Sequence, residues 1–390
     1  MLFKGVFAMR IALCTDSFLP IIDGVGRVCH EYATRLPKRG HECYVITPMQ
    51  ATGFRGNFPF EIVDFAGVKT PLASQYKSGV ATMDPHYLER ISHIRPDIIH
   101  AHTPGPAGME AIRLAEKWGV PLIGTFHSKY YDDFRRYTKS ELLSNIGVRL
   151  VVNFFERCDE VWTVSWNAAE TLRSYGYMGA INLFRNGCSL RQPDPSFEKA
   201  AREKYRLSDA PILLYAGQID RKKNLGRIIE TASVLRKKGR EFQLVFAGKG
   251  ADEEALREYA KEKDAGEIVF TGHISDVSLL DGLYMAASLF IFPSLYDTAG
   301  LVIGEAAVMG TPSVVVRTSA PAEVIKNGHN GFIAIDQPNS IAEAIEKYLF
   351  TMSEEERQQI RKNAREEIPL GWDAIMDEVE SRYKKLARCP

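Results

Sequence analysis

The stretch LFIFPSLYDTAGLVIGEAAVMGTPSVV, residues 289–315, reads as strand, loop, helix and strand in one sweep. Residues 289–292 form a short apolar run stopped by Pro293, a helix starts at Gly300, and residues 313–316 are a second run rich in valine. Strands this apolar are buried on both faces, and a helix joining two of them makes a parallel β-α-β unit. Two acids stand inside it, Asp297 at the mouth of the loop and Glu305 within the helix. A carboxylate surrounded by Gly304, Ala306 and Ala307 is costly to bury without a partner, and the vicinal hydroxyls of a ribose would suit it. The alternative is an acid favoured by the helix dipole followed by a solvated glutamate. These residues alone leave both readings open.

The same alternation extends outward. Residues 212–215, 242–247 and 268–271 read as earlier strands of this series. Residues 10–14, 43–47, 97–101, 121–125 and 160–164 form an equivalent series in the first half, with helix-length segments near 25–38, 106–118 and 140–157. Between the two lies a proline-rich, charged stretch, 186–210, which reads as an interdomain linker. A single hydrophobic core stops growing at roughly 250–300 residues, so a chain of 390 is expected to form two domains. The expected division is an N-terminal domain over 1–190, a second over 205–370, and a last helix opened by Gly371, Trp372 and Asp373 over 371–390.

Composition removes other classes. Lys and Arg number 49 against 49 Asp and Glu, a neutral balance without the electrostatic footprint of a nucleic-acid binder. No window reaches the ~18 apolar residues of a membrane-spanning helix. Six cysteines without a C-x2-C pair are neither a zinc framework nor a disulfide scaffold, and fit a reducing cytoplasm. The opening MLFKGVFAMR lacks the pattern of a secretory signal.

In open α/β sheets ligands sit beyond the carboxyl ends of the strands. After the first strand, Gly24 and Gly26 open a helix, where backbone amides can approach a phosphate; plain helix-start punctuation is the alternative. The pattern lacks the third glycine of a dinucleotide fingerprint, which counts against an NAD-dependent dehydrogenase. Arg221, Lys222 and Lys223 occupy the loop of YAGQIDRKKNL, residues 215–225, placed to neutralise a diphosphate or simply to form a solvated turn. His100 and His102 share one face of a strand, as a metal-binding pair would, but no third ligand is spaced to join them.

The ordered set YAGQIDRKKNL, VFAGKGADEE, VFTGHISD, the 289–315 stretch and EVIKNGHNGFI resembles the retaining GT-B glycosyltransferases of family GT4. TDSFLPIIDGVGR, DIIHAHTPGPAG and GTFHSKYYDDF resemble the acceptor domain of that family, nearest to its lipid and diacylglycerol glycosyltransferases. The resemblance implies an α/β architecture of two Rossmann-like doubly wound domains facing a central cleft, the last helix crossing back to the first. It implies a nucleotide-sugar donor, uracil favoured over guanine, with no metal and no cofactor. Asp297 and Glu305 fall on the two acidic positions of the family motif, the first toward donor-sugar hydroxyls and the second toward the ribose. Ala299, Gly300, Leu301 and Val302 would meet sugar and diphosphate through their amides. Lys223 falls on the phosphate-binding lysine, Gly248 on the loop of VFAGKG, and His273 and Ile274 on the segment that holds the base. Gly24 matches the glycine loop beside the diphosphate and His127 the active-site histidine, with His102, Lys129, Tyr130 and Tyr131 on the acceptor side.

Three positions depart from the pattern. Asp297 replaces a glutamate, Gln218 stands where an arginine usually binds phosphate, and Ala299 replaces a common aromatic. Arg221 is the nearby candidate to restore the lost charge, and a catalytically weak sugar-nucleotide binder is the competing function. The acceptor is expected to be a lipid or saccharide. Residues 127–160 mix Lys129, Arg135, Arg136, Lys139 and Arg149 with Tyr130, Tyr131, Phe134, Tyr137, Phe154 and Phe155, as a segment docking on an anionic membrane would. A core-packing helix with a solvated face is the alternative.

Overall fold

The computed structural model describes residues 8–19, 23–49, 56–70 and 73–387; Pro20, Ile21 and Ile22 of the glycine loop lie outside these. The chain divides into two compact units, Met1–Asn186 with Trp372–Pro390, and Gly187–Gly371. In the first, β1 (Arg10–Cys14), β2 (Glu42–Met49) and β3 (Glu61–Ala66) are followed by a hairpin of β4 (Val68–Thr70) and β5 (Ala73–Ser78). Then come β6 (Ile98–Ala101), β7 (Leu122–Phe126), β8 (Glu160–Thr163) and β9 (Asn182–Leu183). The second unit holds β10 (Ile212–Ala216), β11 (Gln243–Ala247), β12 (Ile268–Gly272), β13 (Leu289–Phe292), β14 (Ser313–Val316) and β15 (Gly331–Ala334).

The two large sheets are parallel, in the orders β3-β2-β1-β6-β7-β8-β9 and β12-β11-β10-β13-β14-β15. Each is a Rossmann-like doubly wound sheet whose order reverses once, at β1/β6 and at β10/β13, and such reversals leave a crevice at the carboxyl edge. Every residue of β6, β7, β8, β10, β13 and β14 is buried, as helices on both faces require.

The strands read from sequence are present to within two residues, whereas β3, the hairpin, β9 and β15 were not read there. The expected linker is corrected more substantially. Within it Pro195–Tyr205 is a helix, with the Asp194 carboxylate accepting from the Ser196 amide at 2.8 Å. Its Ala201 is fully buried, and Arg191 just before it grips buried Asp281 through two hydrogen bonds of 2.6 and 2.7 Å. The stretch therefore belongs to the second unit, and the division falls at Asn186 and Gly187.

The helix Trp372–Ala387 packs within the first unit. It buries Trp372, Ile375, Met376, Val379 and Tyr383, and its Arg382 makes a paired contact with Glu160 on β8.

Candidate active site

The reversal at β10/β13 places the loops following these two strands side by side. Asp220 caps a short 3-10 turn, Arg221–Lys223, by accepting from the Lys222 amide at 3.0 Å. Asn224, at φ 59°, closes the turn and donates to the Pro293 carbonyl at 3.3 Å and to Asp336 at 2.9 Å, so it ties the first loop to the end of β13. Lys223 is thereby aimed across the crevice, where its Nζ donates to Asp297 Oδ1 at 2.6 Å. The pair is mostly enclosed, with side-chain exposures of 12% and 21%. Asp297 Oδ2 is buried and has no hydrogen-bond partner. A carboxylate oxygen left so is a cost that a ligand hydroxyl would relieve.

Gly300 caps the next helix, Leu301–Val308, at φ 64°. A Cβ there would approach Pro321 Cγ at 2.7 Å, so only glycine fits. No side chain caps this helix and its first turn carries no acid, which leaves the start at Leu301 and Val302 as an anion-attracting end. Glu305 lies one turn further in and is buried, with Tyr284 donating to its Oε2 at 3.3 Å and the Arg191 charge close enough to feel it. The solvated-glutamate reading is thereby corrected.

Beyond the strand ends the neighbouring loops are stitched by backbone hydrogen bonds. Gly217 donates to Ala247 at 2.9 Å, Ile219 to Lys249 at 3.1 Å and Gly248 to Gly272 at 3.0 Å. A Cβ on Gly248 would lie 1.8 Å from the Gly217 oxygen, so the close approach needs glycine. His273 and Ile274 continue from β12, the histidine exposed and the isoleucine packed on the core.

The departures have structural outcomes. The Gln218 side chain is exposed, while its carbonyl accepts from the buried Tyr215 hydroxyl at 2.8 Å. Arg221 does not take the missing arginine's place: its side chain is 82% exposed and turns to Asp252 at 3.2 Å. Lys222 does turn inward. Its Nζ lies 4.3 Å from the ring centroid of Tyr296, and Lys223 Nζ lies 5.3 Å from the same ring. Ala299 is partly buried.

At the β1/β6 reversal the chemistry differs. Asp16 receives the Thr103 hydroxyl at 2.6 Å and the Ala107 amide at 2.8 Å, capping the helix Pro106–Trp118. Burial pushes its carboxyl up to about 6 despite these bonds. Gly24 opens the helix Gly24–Lys38 with no atom of the described residues within 4 Å of where a Cβ would stand, and Asp23 caps it through the Gly26 amide at 2.7 Å. Three imidazoles stack inward: His100 on His102 at 4.2 Å and His102 on His127 at 5.3 Å between centroids. His100 uses both nitrogens, on the hydroxyls of Tyr383 and Thr125, so it is not half of a metal-binding pair. Burial pushes His127 down to about 3 and His100 and His102 well below the usual imidazole range, so all three are neutral. His102 is fully buried, which corrects its placement as a direct acceptor contact.

Lys129, Tyr130 and Tyr131 are partly buried at the start of the helix Tyr130–Thr138, and the Tyr131 amide donates to the Tyr175 hydroxyl at 3.0 Å. In the following helix, Glu141–Glu156, Phe154 and Phe155 are core residues and not part of an outer aromatic patch. Its outer face is mixed: Leu142, Leu143, Ile146 and Leu150 stand exposed among Glu141, Asn145, Arg149 and Asn153.

Two family models cover the chain, Glycosyltransferase Family 4 over residues 22–192 and Glycosyl transferases group 1 over residues 197–367. The chain belongs to the family 4 glycosyltransferases. This glycosyltransferase is 28% identical over 316 residues to the alpha-monoglucosyldiacylglycerol synthase of Streptococcus pneumoniae, a match spanning 78% of this chain and 70% of that protein. It is 26% identical over 330 residues to the GDP-mannose-dependent alpha-mannosyltransferase of Corynebacterium glutamicum, spanning 83% and 76%. Its fold is that of Anabaena HepE, solved in complex with UDP and glucose, at a TM-score of 0.76 and 17% identity over 97% of this chain and 100% of that one. The architecture is therefore GT-B.

Some of these residues escape sequence reasoning. Tyr284 reaches Glu305 from a distant segment, and Asp16 meets Thr103 only when β1 and β6 pair. The signal for Asn224 was present, since asparagine tolerates the left-handed conformation that ends the turn.

Proposed function

We propose that this glycosyltransferase moves a hexose from a nucleoside-diphosphate sugar, UDP-sugar first and GDP-sugar second, to a lipid or saccharide acceptor such as diacylglycerol or a glycolipid, with retention of anomeric configuration. The observation that carries this reading is the Lys223–Asp297 pair at the β10/β13 reversal, with Asp297 Oδ2 unpartnered beside the uncapped helix start at Gly300. A sugar hydroxyl satisfies the carboxylate. The lysine and the helix start then stabilise the charge that develops on a departing diphosphate. Lys223 and the Gly300 amides supply that charge without a bound cation, so the reaction is proposed to be independent of metal and cofactor. Glu305, held by Tyr284, takes the ribose hydroxyls, and His273 and Ile274 hold the base. Gly24, His127, Lys129, Tyr130 and Tyr131 remain assigned to the diphosphate and acceptor by resemblance.

The names of similar proteins include both donors, a solved structure of like fold holding UDP and glucose and a relative whose name specifies GDP-mannose; the order between them follows the sequence resemblance. The lipid acceptor is supported by the exposed Leu142, Ile146 and Leu150 beside Arg149, and by likeness to a monoglucosyldiacylglycerol synthase. No helix among the described residues is long and apolar enough to cross a membrane. The contact proposed is peripheral, at an anionic inner membrane face.

The test is thermal shift in EDTA with UDP, GDP, ADP, NAD and their common sugar conjugates. A ligand at ~100 times its dissociation constant stabilises by about 2.7 kcal/mol. Stabilisation by one nucleoside diphosphate and not by NAD is expected, followed by an NMR assay of the product anomer. Binding without turnover in the presence of diacylglycerol or saccharide acceptors would favour the catalytically silent binder.

A further inference from the structure

The stacked imidazoles of the first unit end at the histidine that the resemblance assigns to the active site, and their hydrogen bonds determine which of its nitrogens bears the proton. His102 Nδ1 lies 3.1 Å from His127 Nε2. The other nitrogen of His102, Nε2, is buried and has no hydrogen-bond partner. A neutral imidazole has one N–H and one acceptor nitrogen, so His102 must leave either an N–H or a lone pair unpaired at Nε2. A buried N–H without an acceptor is the rarer state in proteins. The proton therefore sits on Nδ1 of His102 and points at Nε2 of His127. The His102 ring is held in this orientation by His100 stacked 4.2 Å away at 27°, and by the edge-on Tyr32 at 5.4 Å and 89°.

We infer that His102 is a positioning residue: by donating Nδ1–H to Nε2 of His127, it fixes His127 as the neutral tautomer protonated at Nδ1, a donor and not an acceptor at that nitrogen. His127 then cannot serve as a general base through Nδ1, and its Nε2 lone pair is occupied. The inference rests on the reading of His127 as an active-site residue. It adds that the buried neighbour sets its polarity, as outer partners do for ligating histidines.

The direct test is a nitrogen-15 spectrum of the full-length protein with labelled histidine, without ligand, at neutral pH. The Nδ1-protonated signature is expected for both His102 and His127, and an Nε2-protonated His127 would overturn the inference. Activity is read as UDP release from UDP-glucose. His102→Asn, whose side-chain amide nitrogen can stand where Nδ1 stood, is expected to keep His127 protonated at Nδ1 and to retain turnover. His102→Leu removes the donor, and a loss of about 10–100-fold is expected. Equal turnover in His102→Leu and wild type would overturn the inference. So would equal loss in the asparagine and leucine variants with both folded. The spectrum of the wild-type protein needs no donor, so failure of the UDP-sugar assignment leaves this test standing.

Discussion

The two units share a strand order and a crevice, yet fill the crevice with opposite chemistry. At β10/β13 the second unit gathers formal charge: Lys223 on Asp297, Lys222 over Tyr296, and Glu305 behind the helix start. At β1/β6 the first unit gathers buried neutral rings, His100, His102 and His127, packed with Tyr32 and Tyr383. The topology fixes where a ligand can sit, and the side chains decide what kind. Charge suits a diphosphate, whereas neutral donors and aromatic edges suit hydroxyls.

The largest separation between the units should appear in acid. The three imidazoles have folded-state values below the unfolded value of about 6.5, so the unfolded chain binds more protons as pH falls below that point. Each then costs about 1.4 kcal/mol per pH unit, for His127 down to a value of about 3. Asp16, raised from 3.8 to about 6, acts in the opposite sense and stabilises the first unit as pH falls through that window. Three groups outweigh one. Calorimetry between pH 7 and 4 should show the transition of the first unit falling faster, and parallel shifts of both units would break the comparison.

Next in size is Lys223→Met, which leaves the enclosed Asp297 without its cation. A loss of ~10²-fold in turnover, and of the stabilisation given by nucleoside diphosphates, is expected. Unaltered melting with UDP would remove the lysine from the site. Gly300→Ala should cost about 1–2 kcal/mol for the left-handed backbone, with further strain against Pro321, and should weaken donor binding in isothermal titration. The smallest effect sharpens the assignment of charge. Lys222→Ala should weaken donor binding by roughly 0.5–1 kcal/mol, the scale of an exposed cation–π contact. Arg221→Ala, at a solvent-screened pair, should leave binding unchanged. A reversal of that order would return the compensating role to Arg221.

Most of the fold was legible because its strands are uninterrupted apolar runs, a pattern that survives any tertiary detail. Glu305 drew notice because a carboxylate among Gly304, Ala306 and Ala307 needs a reason, whereas Asp297 and Lys223 were singled out by the family resemblance, since a basic turn by itself reads equally well as solvated surface. The helix Pro195–Tyr205 was missed because two prolines outweighed its start signal, although Asp194 before Pro195 is a cap followed by proline in the first turn. Arg221 and Lys222 could not be told apart, since a 3-10 turn sends adjacent side chains in different directions. The roles of His102, Tyr284 and Asp16 depend on partners brought from other strands and helices, which no local pattern contains.

The return of the last helix to the first unit bears on the order in which the protein can be made. Residues 187–371 emerge from the ribosome as one continuous block and can close their sheet as soon as β15 and the following helices have appeared. The first unit cannot, because Tyr383, which seals His100, and Arg382, which neutralises Glu160, are synthesised after the entire second unit. During synthesis the earlier-made unit is therefore the later to finish, and its half-closed core is the stage at which the nascent chain most needs shelter from aggregation.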